Sequence, residues 1–443
     1  MTMETTSDLV VPCSVAVWPG LAGRILRADP AVEPLGSYVA DAGGYPDSSS
    51  GELYAEGLLD LIEQSGLRGR GGAAFPLATK ARAVRRAAKW GRTPVVIANG
   101  EEGEPASIKD RWLLRHRPHL VLDGLRLAAA AVGADRAFVY LSDPLAARSV
   151  ASARQEAGRA GRLALPVEIT VVEPAYVAGE ETAAVRAING GPAKPADKPP
   201  RPFEAGVSDR PTLVSNVETL ANLPFLYRHG ADVYREAGTA ASPGTFLATV
   251  SGGGRPPALY ELPHGIAFRE LLALHGVASR AVQGALMGGY FSGLLNRQAL
   301  GMTLDHESVR GLGSGLGCGA LCILGEDDCP VAVAASVMAY FARENAGQCG
   351  SCFNGTAAMS AVLDALRDGG VSTDDLSRLR RWSEVLRGRG ACATLDGAAS
   401  LAASLLGRFP GSVTRHVDGG CDGCACLPFR AARPFEVEAV SLA

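Results

Sequence analysis

The chain lacks a basic segment ahead of its first apolar run, MTMETTSDLVVPCSVAVWPG, and shows no cleavage site after it, so a signal peptide is not expected. No stretch reaches about 18 uninterrupted apolar residues, which argues against a transmembrane helix. Those absences point to a cytoplasmic protein without direct membrane insertion. Net charge is nearly missing too: −3 over 443 residues gives no electrostatic reason to expect nucleic acid as a partner. Lysine is scarce beside arginine, so Lys80, Lys109 and Lys198, which fall inside motifs, carry the more information. Cysteine is almost absent from the first 300 residues. Nine of the ten cysteines follow residue 300, which in a large, non-secreted chain reads as thiolate chemistry rather than a disulfide framework.

What is present begins with SGLRGRGGAAFPLATK, Ser65 to Lys80. Gly66, Gly69, Gly71 and Gly72 let consecutive backbone N–H groups turn toward an anion, and Arg68, Arg70 and Lys80 add positive charge. A planar, phosphate-bearing cofactor needs that combination, although an ordinary surface turn can share the composition. TPVVIA, Thr93 to Ala98, reads as a buried strand and runs into NGEEGEP. Acidic residues at the C-terminal end of a parallel strand sit where open α/β sheets bind ligands, and Glu101, Glu102 and Glu104 would suit ribose hydroxyls; a solvated acidic turn is the plainer reading.

Further along, a helix over Leu114–Val132, a strand over Arg136–Leu141, a helix over Leu145–Gly158 and a strand over Val167–Val172 predict a parallel sheet with helices on its faces. Ser215 or Asn216 would cap a helix with Glu218 in its first turn. The expected organisation is an irregular lead-in over residues 1–50, an α/β domain over 51–236, a small β-grasp-like domain over 245–310, a helical bundle over 328–410 and a cysteine-containing tail over 411–443.

Four motifs together resemble one family. They are GLRGRGGA (66–73) with Phe75-Pro76 and Lys80, NGEEGEP (99–105) with Lys109-Asp110-Arg111, AYVAGEETA (175–183), and NVETLAN (216–222). In this order and spacing they resemble the NADH-binding flavoprotein subunit of respiratory complex I and related diaphorases. The resemblance implies that the α/β domain binds FMN, lined by Gly69, Arg70, Gly71, Gly72, Lys80, Asn99, Tyr176, Ser215, Asn216 and Thr219. Glu101 stands where the family often has Asp. Glu102, Glu104, Glu180 and Glu181 would face NAD(H), with Glu102, Glu180 and Glu181 as the catalytic carboxylates, Phe75 stacking and Lys198 near the phosphates. Two places that usually present aromatics to the adenine hold Ala83 and Arg201. Phe203 is close, and Arg201 could stack by its guanidinium face.

By the same resemblance a 4Fe-4S cluster is expected at Cys349, Cys352 and Cys392, with Ala346 where a further cysteine would stand. Cys421, Cys424 and Cys426, or Cys318, Cys322 and Cys329, are the substitutes to consider, and the tail cysteines could equally form a separate metal site. The middle domain resembles an SLBB module and is given no site residue. The implied activity passes electrons from NADH or NADPH through FMN and the cluster to a protein acceptor. A ferredoxin or ferredoxin-like subunit, within a larger redox complex, is the expected partner. A ferredoxin-coupled flavoprotein without NADH binding, or a non-catalytic assembly subunit, are the alternatives.

Overall fold

Along Val95-Val-Ile-Ala-Asn99 successive side chains point to opposite sides of a sheet, and both sides are apolar. Val96 and Ala98 join one core with the long helices, while Val95 and Ile97 join a second with Ala184 and Val207. A strand buried on both faces belongs in the middle of a parallel sheet. In the computed structural model, which describes residues 13–27, 31–42, 44–46, 52–88, 91–419, 421, 424 and 429–437, it occupies that place.

Ten strands are found among the described residues: β1 (Ser14–Val17), β2 (Val95–Asn99), β3 (Arg136–Leu141), β4 (Val167–Val171), β5 (Thr212–Asn216), β6 (Thr245–Gly252), β7 (Arg255–Pro263), β8 (Val282–Met287), β9 (Leu294–Asn296) and β10 (Ala320–Gly325). The first sheet is wholly parallel in the order β4-β3-β2-β5. The second is mixed, in the order β1-β7-β6-β10-β8-β9. The helices Pro330–Glu344, Gly350–Arg367, Thr373–Val385, Thr394–Arg408 and Pro410–Val417 follow and share a third core.

Three expectations change here. The lead-in is not wholly irregular, because β1 pairs in parallel with β7 and the Leu35–Ala42 helix buries Tyr38, whose hydroxyl donates to Asp123 at 2.8 Å. The helix expected over 114–132 is two helices, Lys109–His116 and Pro118–Val132, since Pro118 cannot supply an N–H to a continuing helix. The middle sheet extends beyond residues 245–310, taking β1 from one side of the sequence and β10 from the other. Asn216 is the cap of the Val217–Ala221 helix, its side chain accepting from the Glu218 amide at 3.0 Å.

Candidate functional site

Beyond the C-terminal ends of β2 and β5 lies a cleft of about 590 Å³. Gly69, Gly71, Phe75, Lys80, Asn99, Glu180, Glu181, Lys198, Ser215, Asn216 and Thr219, all anticipated from sequence, line it. Thr79, Ala83, Arg201, Pro202 and Phe203 complete much of the wall. Its position follows from topology: adjacent parallel strands deliver Asn99 and Ser215-Asn216 to one edge.

The glycine loop is held from behind. The Arg70 amide donates to Thr219 Oγ1 at 2.8 Å, and a Cβ on Gly71 would lie 3.2 Å from that of Asn216. Gly72 has φ +121°, a backbone conformation that side-chain-bearing residues rarely adopt. Neither arginine of the loop points into the cleft. The Arg68 guanidinium pairs with Glu307 at 2.9 Å, and that of Arg70 is buried, donating to the Thr245 carbonyl at 2.9 Å. Contrary to expectation, Arg70 and Gly72 are not among the residues that line the cleft.

Lys80 and Lys198 supply the positive charge instead. Lys80 Nζ is 2.9 Å from Glu181, and Lys198 Nζ is 2.6 Å from Glu180. Burial would raise the Glu181 carboxyl, but Lys80, with Lys198 and Arg201, outweighs it and holds the group below the usual carboxylate range. Glu180 also caps the Glu181–Ile188 helix, accepting from the Thr182 amide at 2.7 Å. Phe75, on the same wall, is a large apolar side chain left 53% exposed.

Beneath the cleft sits a buried charged network. Lys109 Nζ reaches Asp110 at 2.7 Å and Glu218 at 3.0 Å, and it donates to Asn216 Oδ1 at 3.3 Å; Asn216 Nδ2 donates to Asp110 at 2.6 Å. These bonds fix the amide of a residue that lines the cleft. Asp110 and Glu218 received no site role from sequence. The signal available was a Lys-Asp-Arg triplet directly after the acidic motif, in a segment that folds as a buried helix.

Glu101, Glu102, Glu104 and Tyr176 do not line the cleft. Glu102 accepts from the Arg111 amide at 3.0 Å and the Asp110 amide at 3.2 Å, capping the Lys109–His116 helix from outside. Both of its carboxylate oxygens are thus engaged at that helix terminus rather than on the cleft wall. Glu104 accepts from the Tyr290 amide at 3.0 Å, and burial pushes it up to about 8. Burial pushes Glu101 up to about 7, with Ser142 and the Ala175 amide offsetting only part of it. Tyr176 packs edge-on against Tyr340 and Phe341.

Cys349 precedes the Gly350–Arg367 helix, Cys352 lies in its first turn, and Cys392 sits just before the Thr394–Arg408 helix. The Ala391 amide donates to Cys349 Sγ at 3.4 Å, and both Cys349 and Cys392 bear on Cys352 electrostatically. Ala346 brings no sulfur, and its carbonyl accepts from Lys194 at 3.0 Å. The cysteine turn abuts the cleft wall, because Gln348 donates to the Pro195 carbonyl at 2.7 Å, three residues before Lys198. Of the considered substitutes, Cys329, Cys421 and Cys424 gather elsewhere with His416, Cys322 lies inside β10, and Cys318 Sγ donates to the Gly288 carbonyl at 3.9 Å. Cys426 lies outside the described residues.

Residues 62–225 match the family profile of the Nuo51 FMN-binding domain, and residues 332–416 that of the NADH-ubiquinone oxidoreductase-F iron–sulfur binding region. An NADH-quinone oxidoreductase subunit of Rhizobium meliloti (strain 1021) is 34% identical over 400 residues, covering 87% of this chain and 94% of its own. The chain belongs to that family of NADH-quinone oxidoreductase subunits. Another relative, the NADP-reducing hydrogenase subunit HndC of Solidesulfovibrio fructosivorans, is 33% identical over 82% of this chain and 76% of its own. Among solved structures, a chain of an NAD+-reducing [NiFe]-hydrogenase in the H2-reduced state superposes with a TM-score of 0.78 at 29% identity, over 88% of this chain and 67% of that one.

FMN fits the cleft by volume, by the side-chain-free approach at Gly71 and by two lysines at the rim. A cluster at the cysteine turn would be held by the thiolates of Cys349, Cys352 and Cys392, with no fourth cysteine beside them among the described residues.

Proposed function

We propose that the chain oxidises NADH at FMN held in the cleft and passes the electrons through an iron–sulfur cluster at Cys349, Cys352 and Cys392 to a ferredoxin-like subunit of a larger redox complex. The observation that carries this reading is the cleft itself, with glycine backbone on one wall, the ends of two parallel strands as floor, and the cysteine turn against its side. The flavin takes a hydride's electron pair and the cluster receives single electrons; the protein supplies placement.

In this reading Asn99, Ser215, Asn216 and Thr219 would hold the flavin, with Lys109 and Asp110 fixing the Asn216 amide. Lys80 and Lys198 turn from Glu181 and Glu180 toward phosphates as the cofactors enter, which leaves those carboxylates free for the ribose and carboxamide of the nucleotide. Phe75 stacks on the nucleotide, and Arg201 replaces an adenine-clamping aromatic through its guanidinium face. Glu101, Glu102 and Glu104 support the wall from inside. The sheet around residues 245–310 serves as an SLBB-like scaffold between the flavin region and the C-terminal helices.

The test is an anaerobic visible spectrum with iron and sulfide analysis, repeated after NADH and after NADPH, on the native chain and on Gly71→Val. Native protein should show flavin bands with a broad iron–sulfur shoulder, both bleached by NADH. Gly71→Val should lose the flavin, since its side chain meets Asn216 and enters the cleft. Full flavin retention in the variant, or native flavin that NADH leaves unbleached, overturns the reading.

A further inference from the structure

Four side chains converge at the opposite end of the Pro330–Glu344 helix from the cysteine turn. Cys329 stands immediately before that helix, His416 is fully buried on the Pro410–Val417 helix, and Cys421 and Cys424 belong to the tail. Their three sulfurs and one ring nitrogen all lie within 4.8 Å of one another. His416 Nε2 is 3.2 Å from Cys329 Sγ and 3.8 Å from Cys424 Sγ. A tetrahedral zinc ion with ordinary bond lengths holds a sulfur and a nitrogen ligand about 3.6 Å apart.

The imidazole is turned for this task. Its Nδ1 lies 3.2 Å from the Arg367 carbonyl, so Nδ1–H donates there and the Nε2 lone pair faces the sulfurs. That second contact orients histidines bound to metals in general, because it fixes both tautomer and ring plane. A disulfide would engage two of the cysteines and leave the histidine and third sulfur without a purpose.

We propose that Cys329, His416, Cys421 and Cys424 bind one Zn²⁺ in a closed tetrahedral site. Four protein ligands leave no position for substrate, so the ion is structural, and its binding releases the thiol protons. A cubane does not suit the group: it sets its ligands farther apart than one ion does. The intervening helix has 15 residues, about 22 Å of rise, which separates the site from Cys349. The ion joins the start of one helix, the end of another and the tail. Beyond it the tail reaches the acidic loop, where the Val437 amide donates to the Pro105 carbonyl at 3.1 Å.

The test is metal analysis of the full chain produced with zinc and iron both supplied, then dialysed. About one zinc per chain should remain, and Cys421→Ser with Cys424→Ser should weaken zinc retention by about tenfold or more while flavin and iron stay unchanged. Should that variant fold poorly, native protein stripped of zinc and given Co²⁺ should show the visible bands of tetrahedral cobalt–thiolate, erased by one equivalent of Zn²⁺. Trace zinc in native protein, absent cobalt bands, a Cys421–Cys424 disulfide by mass, or loss of iron instead of zinc in the variant each overturn the assignment.

Discussion

Two groups of glutamates that look alike in sequence behave differently in the fold. Glu180 and Glu181 stand on the rim of the cleft, paired with Lys198 and Lys80. Glu101, Glu102 and Glu104 are withdrawn behind it, two of them with raised pKa values and the third capping a helix. A carboxylate that meets a mobile cation at a surface can exchange partners when a ligand arrives. One withdrawn into the interior, whether held by backbone amides as Glu102 and Glu104 are or simply buried as Glu101 is, cannot.

The largest effect should come from Glu102→Ala. It removes the carboxylate beside Arg111 and the acceptor of two helix-terminal amides in the interior, so chemical denaturation should show a loss of about 3–5 kcal/mol. A loss near zero would place Glu102 with the rim group.

Next is pH. Glu101 has its pKa raised from 4.5 to about 7 by burial, so the folded state holds this proton more tightly than the unfolded chain. Its stabilising contribution is complete below about pH 4.5 and is lost as pH rises to about 7, a difference of about 3 kcal/mol. Comparing native protein with Glu101→Gln across that window isolates the effect; parallel curves would refute burial as the cause.

Lys80→Ala should weaken flavin binding by about 1.5–3 kcal/mol, roughly tenfold to a hundredfold, by titration of FMN into stripped protein. The smallest stability change belongs to Glu181→Gln, within about 1 kcal/mol, since the pair is partly exposed. Its KM for NADH should nonetheless rise while flavin content holds. A large fall in stability with KM unchanged would erase the distinction between rim and interior.

Much of this was legible in the sequence where local chemistry decides. The β-branched runs of β2 and β4, the apolar and aromatic run of β3 and a helix cap at Ser215 or Asn216 needed no distant partner. The direction of a side chain was not legible in the same way. Arg70 sits in a loop that approaches the cleft, yet Tyr234 and Thr245, far along the chain, draw its guanidinium inward. β1 has four residues and becomes a strand only by pairing with β7, some 240 positions later. Glu101, Glu102 and Glu104 carry a charge pattern that suits ribose hydroxyls, and only packing reveals their withdrawal. Cys329 and His416 are 87 residues apart, so no spacing rule joins them.

The segment from Lys194 to Lys198 touches two places at once, holding the Ala346 carbonyl and the Gln348 side chain at one end and Glu180 at the other. If a nucleotide and a cluster occupy these places as proposed, this short segment is the physical contact between them. Linkage then requires any shift that the nucleotide makes in the cluster's reduction free energy to be matched by an equal change in nucleotide binding free energy between the two redox states.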